Sequence, residues 1–175
     1  MKVSTRLPTG AAHLIGVAGY GMRGLARLLL GEGRAVSGTD AARGPATDAL
    51  VRAGLRWTGA EGVPRPAAFV VHSAAVAPEH AELREARARG LPCLTYAAAL
   101  GAFCAERTVL ACVGTHGKST STALLALLLR GGGMDAGWLI GADPPPGLDA
   151  LPASARAGDP MAVEACEYNS SFLQF

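Results

Sequence analysis

The sequence predicts an α/β protein built as two successive units, each organised around a mainly parallel sheet. Three observations carry that prediction. Two apolar runs, Ala11 to Val17 and Thr108 to Val113, each lead into a glycine-rich loop that opens a stretch with helical apolar spacing. Between them β-type runs alternate with helical ones, the pattern of a parallel sheet covered on both faces. Half of the 175 residues are apolar, enough to fill such cores.

Residues 1–10 are polar, contain Pro8 and Gly10, and are expected to form a flexible arm. Ala11 to Val17 reads as a buried strand. The glycines at 16, 19, 21 and 24 then lead into a helix over Met22 to Leu30, stopped by Gly31 and Gly33. Ala35 to Ser37 is a short strand ending near Asp40, and Thr47 to Ala53 a helix. Ala67 to Ser73 is a β-type run, Pro78 to Arg89 a helix with Gly90 just beyond it, and Pro92 to Thr95 another strand. The first unit is therefore expected to cover residues 11–107. In the second, Thr122 to Arg130 is a helix ended by Gly131, Gly132 and Gly133. Ala136 to Ile140 and Met161 to Ala165 are strands, and Pro144 to Gly147 is a loop because proline cannot donate to a ladder. A parallel domain begun at Thr108 normally needs well over about 100 residues. Residues 108–175 are thus expected to be the N-terminal part of an incomplete domain, in a fragment or truncated protein.

The second glycine loop carries the most chemistry. In Gly114-Thr115-His116-Gly117-Lys118-Ser119-Thr120, backbone amides at a helix N-terminus can surround a phosphate chain, Lys118 adds a point charge, and the Ser119 hydroxyl can ligate Mg²⁺. The leading glycine stands three residues before Gly117, so this is a shortened form of the G-x-x-x-x-G-K-[ST] loop. Of the 16 basic residues only Lys2 and Lys118 are lysines, and one of them occupies the phosphate position. A nucleoside triphosphate is the expected ligand. His116 either touches a phosphate or is simply exposed. In the first loop, Gly19-x-Gly21-x-x-Gly24 is formally a dinucleotide fingerprint with Asp40 placed to hold a ribose, so an NAD-dependent oxidoreductase stays open on these residues alone. His72 and Ser73 do not read as a nucleophilic pair, because neighbours on a strand point to opposite faces. The fold class is thus a Rossmann-like parallel sheet domain followed by the start of a P-loop α/β domain.

Composition narrows the classes. The net charge is +2 and the arginines are scattered among Asp and Glu, which argues against a nucleic-acid surface. Cys93, Cys104, Cys112 and Cys166 show no C-x-x-C spacing and read as free thiols of a reducing compartment. Neither a leader nor an apolar run near 18 residues is visible, so a soluble, cytoplasmic protein is expected.

Taken together, His13 to Gly24 (HLIGVAGYGMRG), Val36-Ser37-Gly38-Thr39-Asp40, the GTHGKST loop and Glu164-Ala165-Cys166-Glu167-Tyr168 resemble the Mur ligases of peptidoglycan synthesis, and within them the type that adds L-alanine. Val71 to Val76 is similar to a further family segment. The match in order and spacing runs from about residue 11 to the last residue. The resemblance implies an ATP-dependent ligase that joins L-alanine to UDP-N-acetylmuramate through an acyl phosphate, with ATP and Mg²⁺ required. It makes residues 11–107 the UDP-sugar domain and leaves the family's C-terminal domain absent, so the chain is expected to be inactive alone. UDP-sugar contacts then fall to Gly16, Gly19, Tyr20, Gly21, Met22, Gly24, Asp40 and Ser73. The nucleotide falls to Gly114, Thr115, His116, Gly117, Lys118, Ser119 and Thr120. Lys118 and Glu167 are the catalytic residues, and Ser119 and Glu167 the metal ligands. Ala18 stands where relatives usually have glycine, and a core role competes with ligand contact for Met22. A tripeptide-recycling relative and a non-catalytic UDP-sugar-binding module remain alternatives. Oligomeric state is open.

Overall fold

The computed structural model describes residues 6–144 and 150–165. Two compact units divide within one helix, residues 7–99 forming the first and residues 1–6 with 100–175 the second. In the first unit the elements are β1 (Ala11–Ile15), α1 (Tyr20–Gly31), β2 (Val36–Thr39), α2 (Pro45–Arg52), β3 (Arg56–Trp57), β4 (Ala67–His72), α3 (Ala81–Ala88) and β5 (Cys93–Thr95). α4 (Tyr96–Cys104) crosses the boundary. The sheet has the order β3-β2-β1-β4-β5 and every pairing is parallel. This is a Rossmann-like arrangement, in which the chain reverses its direction of winding between β1 and β4.

Each element follows from its residues. β1 is buried on both faces except at its first residue, which is why it reads as a continuous apolar run rather than an alternating one. α1 buries Met22, Leu25, Ala26, Leu28 and Leu29 at helical spacing and lies on β2 and against α2. α3 packs on β4 and β5, where Leu83 and Ala86 meet Ile15, Val70 and Val63. A buried polar row crosses this core: His13 Nδ1 lies 2.9 Å from Ser37 Oγ, and its Nε2 lies 3.3 Å from Glu82 Oε1. The row is structural. Ser37 is buried and its hydroxyl is 3.3 Å from the Ala12 carbonyl, so it offers no nucleophile to a ligand.

The second unit contains β6 (Val109–Cys112), α5 (Lys118–Gly131), β7 (Gly137–Leu139), β8 (Ala155–Arg156) and β9 (Met161–Glu164). Its order is β6-β9-β7-β8, parallel except for the β7–β8 pair. α5 covers one face, with Ala126 against Trp138, Ile140, Leu151 and Ala162. The Trp138 indole N–H is satisfied by the Ala153 carbonyl at 2.8 Å.

Several boundaries differ from expectation for identifiable reasons. α1 begins at Tyr20 rather than Met22, and α5 at Lys118 rather than Thr122, because each helix starts directly on its loop glycine without a side-chain cap to mark it. α2 begins at Pro45, the fixed φ of proline suiting a first helical position. α3 begins only at Ala81, since Pro78 to His80 form a turn. α4 has no polar stripe to reveal it; Thr95 Oγ1 accepts the Ala98 amide at its start. The two-residue strands β3 and β8 are too short to leave a periodic signal. The prolines and glycine at 145–147 lie outside the described residues.

Two outcomes test this packing. A Cβ on Gly137 would lie 2.5 Å from the Gly158 amide nitrogen, and one on Gly158 would meet the Gly137 nitrogen and the Asp135 carbonyl. Gly158→Ala should therefore cost about 1–3 kcal/mol or more in urea denaturation. Burial pushes the Cys104 thiol up to about 11, so Ellman's reagent at pH 8 should leave Cys104 unlabelled until denaturant is added.

Candidate functional site

The first site stands where strand order reverses, at the carboxyl ends of β1 and β4, the position at which open α/β sheets bind ligands. Gly16 follows β1 with a φ of +82°, a conformation that favours glycine. A Cβ on Gly16 would come within 3.1 Å of Ser73 Cβ, so the loop leaving β1 and the residue leaving β4 are packed together. The Ser73 amide donates to the Ile15 carbonyl at 3.1 Å, and Ser73 Oγ accepts from the Ala75 amide at 3.1 Å. Asp40, at the end of β2, holds the loop from the other side: its Oδ2 accepts the Ala18 amide and its Oδ1 the Ala41 amide, both at 2.8 Å.

That geometry gives Asp40 a structural task. Each of its carboxylate oxygens accepts a backbone amide of this unit, so the residue braces the loop. Gly19 caps α1 without a side-chain hydrogen bond, and no acidic residue occupies the first turn. α2 and α3 carry Asp48 and Glu82 in theirs. The mouth of α1 is thus left to its positive dipole end, which favours an anion. Tyr20 is 58% exposed, with the Arg23 guanidinium stacked 4.1 Å from its ring centroid. Gly21 lies under Tyr96, where an added Cβ would be 2.7 Å from the ring. Sequence reasoning missed Tyr96, because α4 itself was not legible. Met22 is 3% exposed and Gly24 is buried in α1. The Met22 side chain thus takes the core position that its helical spacing suggested.

The second site is the loop between β6 and α5. Gly114 and Gly117 take φ values of +140° and +75°, the latter as the left-handed cap of α5. Gly114 to Gly117 and Thr120 are exposed, His116 among them, while Lys118 and Ser119 are half-buried. Inside the helix, Ser121 N–H reaches the Gly117 carbonyl, but the amides of Lys118, Ser119 and Thr120 precede the first such bond. The Lys118 ammonium is 2.5 Å from the Gly114 carbonyl and 3.4 Å from that of Thr115. It forms no salt bridge among the described residues, so the charge is held by exposed loop carbonyls that a stronger acceptor can displace. Glu167 lies outside the described residues. No group of three or more His, Cys, Asp or Glu side chains that could hold a metal occurs among the described residues, and none of their helices is long and apolar enough to cross a membrane.

A Rossmann-like sheet with no acid in the first turn of its first helix is followed by a mostly parallel unit whose glycine loop carries a lysine at a helix mouth. The comparisons place it further. Residues 11–108 match the model of the Mur ligase family, catalytic domain, and the chain belongs to that family. It is 46% identical over 166 residues to a UDP-N-acetylmuramate–L-alanine ligase of Chloroflexus aggregans, covering 92% of this chain and 34% of that protein. A protein of the same description from Roseiflexus sp. strain RS-1 is 42% identical over 173 residues, with 92% and 35% covered. The chain thus spans about a third of the length of these curated relatives. Among solved structures, the UDP-N-acetylmuramate–alanine ligase of Thermotoga maritima superimposes with a TM-score of 0.79 at 21% identity, covering 90% of this chain and 37% of that one. The UDP-N-acetylmuramate:L-alanyl-γ-D-glutamyl-meso-diaminopimelate ligase of Neisseria meningitides gives 0.78 at 27%, with 93% and 54% covered.

The carboxylate that braces the first loop is open to a direct test. Asp40→Ala leaves the Ala18 and Ala41 amides without their acceptor and should lower stability by about 1–3 kcal/mol in chemical denaturation; a change under about 0.5 kcal/mol would show that Asp40 does not hold the loop.

Proposed function

We propose that this chain is the front of an ATP-dependent, amide-forming ligase of peptidoglycan synthesis, which joins L-alanine to UDP-N-acetylmuramate in the cytoplasm. Residues 11–107 take the UDP-sugar, and residues 108–175 begin the ATP-binding unit. The observation that carries the reading is the mouth of α5, where amides and a lysine that, among the described residues, meet no acceptor but loop carbonyls converge. The descriptions of the curated relatives support L-alanine and UDP-N-acetylmuramate as substrates.

A free carboxylate is a poor acyl donor. Transfer of the γ-phosphoryl group from ATP to an oxygen of the sugar-linked lactyl carboxylate releases ADP and installs phosphate as a leaving group. The alanine amine then attacks the acyl carbon, and phosphate departs as the amide forms. Such transfer depends mainly on positioning and on neutralising charge. Lys118 offsets the β- and γ-phosphates. The amides of Gly117 to Thr120 hold the oxygens at the positive end of α5, with Gly114, Thr115 and His116 lining the loop. The residue types suit a hard divalent cation: the Ser119 hydroxyl and, by its place in the family motif, the Glu167 carboxylate would hold it. Mg²⁺, when bound there, adds positive charge to the phosphate oxygens. In the first unit, Gly16, Gly19 and Gly21 present backbone to the pyrophosphate, with Tyr20 and Ser73 at the rim. Gly24 and Met22 shape α1 from behind, and Asp40 keeps the loop in place.

Calorimetry on the chain separates the two sites. Lys118→Ala should weaken binding of ATP with Mg²⁺ by about tenfold or more, while UDP-N-acetylmuramate binding stays within about twofold. Equal loss of both would mean that the sites are misassigned, and no ATP uptake by the unaltered chain would remove the reading of the second loop.

A further inference from the structure

The second glycine of the first loop is bare for a reason that its own unit supplies. In a dinucleotide fingerprint the glycine at this position lets a pyrophosphate come up to the backbone. A Cβ built on Gly21 would instead lie 2.7 Å from Cζ, 2.9 Å from the hydroxyl oxygen and 3.0 Å from Cε1 of Tyr96. The tip of the phenol therefore rests on the Cα of Gly21. Gly19 is different, since a Cβ there would meet nothing nearer than the Gly16 carbonyl at 3.6 Å.

Tyr96 reaches that place because of where β5 ends. β5 runs parallel to β4, and β4 to β1, with Thr95, His72 and Ile15 in register across the three strands. Tyr96 is the next residue and the first of α4, so it leaves the sheet on the same edge as the loop after β1. The Thr95 hydroxyl accepts the Ala98 amide at 3.2 Å and fixes the start of α4. At the mouth of α1, the Arg23 amide donates to the Gly19 carbonyl at 2.8 Å, and the amides of Tyr20, Gly21 and Met22 precede that bond. No acid stands in this turn, and Arg23 holds its guanidinium 4.1 Å from the Tyr20 ring centroid. The phenol adds to these donors an O–H that can rotate toward an anion. Hydrogen bonds to a charged oxygen are roughly twice as strong as neutral ones.

We propose that Tyr96 is a specificity-determining residue of the first site: its hydroxyl donates to the diphosphate of the UDP-sugar at the mouth of α1, in the place where a dinucleotide would press its pyrophosphate onto Gly21. The inference rests on reading residues 11–107 as the UDP-sugar unit. Gly21 still offers its amide, but the ring covers its Cα. A nicotinamide dinucleotide is refused, because it needs that glycine uncovered.

The test uses the whole chain with Tyr96→Phe and Gly21→Ala. Binding of UDP-N-acetylmuramate and of NADH is titrated by calorimetry, and the diphosphate resonances of the bound UDP-sugar are followed by phosphorus NMR. Tyr96→Phe keeps the ring and loses the donor, so it should weaken UDP-N-acetylmuramate binding about tenfold and move those resonances. Its thermal midpoint should stay within about 2 °C of the unaltered chain. Gly21→Ala pushes the ring aside and should weaken binding at least as much. The unaltered chain should bind NADH at least about a hundredfold more weakly than the UDP-sugar. Binding by Tyr96→Phe within about twofold of the unaltered chain, or unmoved resonances, overturns the proposal while leaving the first-site reading intact. Weaker binding that comes with a lowered midpoint also overturns it, since the role would then be packing alone. NADH bound as tightly as the UDP-sugar overturns the selectivity. An unaltered chain that takes up no UDP-sugar removes the reading of the first unit and this inference with it.

Discussion

The amides that open α5 set the terms for the second unit. A helix N-terminus ordinarily satisfies its first amides through a Ser, Thr, Asp or Asn cap. Here the cap is Gly117 in the left-handed region, which has no side chain to give and none that would block a ligand. The first turn carries no acid to neutralise the dipole, and Lys118 adds a full charge at the same place. Such a concentration of donors is unfavourable unless water or an anion answers it. The surrounding sheet, with Met161, Ala162 and Val163 fully buried, supplies the rigidity that keeps those donors aimed.

The first unit meets a similar demand differently. Its loop is held by an acid rather than left open: Asp40 ties the Ala18 and Ala41 amides, and the Gly16 and Val17 amides go to the Thr39 carbonyl. The backbone at the start of the loop is therefore already consumed. What remains for a ligand is the mouth of α1 itself, with exposed Tyr20 and the Arg23 guanidinium stacked on it. Ala18 fits this account, because its amide faces Asp40 instead of the space in front of the helix.

How much of this was legible depended on the range of the interaction. Strand–glycine–helix transitions are local, so β1 with α1 and β6 with α5 could be read from Gly16 to Gly24 and from Gly114 to Thr120. Helix starts could not be read to the residue, because glycine caps leave no polar letter to find. The apolar, Ala-rich α4 hid for the opposite reason, having no polar face to set a period, and with it hid Tyr96. Asp40 was found, but its hold on the loop was not: that needed the loop at Ala18, 22 residues away, to be seen folded back on it. Pairings such as His13 with Glu82, 69 residues apart, have no signature in a single sequence.

Glu164 shows the same limit inside the second unit. In the linear motif it precedes the acid that resemblance singles out, and nothing in composition gives it a separate task. Only sheet order does so, since β9 is inserted between β6 and β7 although it follows both in the chain. That insertion puts the end of a late strand between two earlier loops, within side-chain reach of Gly141 and in register with Cys112, which leads toward the glycine loop. A strand placed at the sheet edge instead would have left Glu164 in solvent. The parallel crossover therefore does more than bury apolar surface: it brings the exits of three strands to one edge, where the Glu164 carboxylate reaches the Gly141 amide.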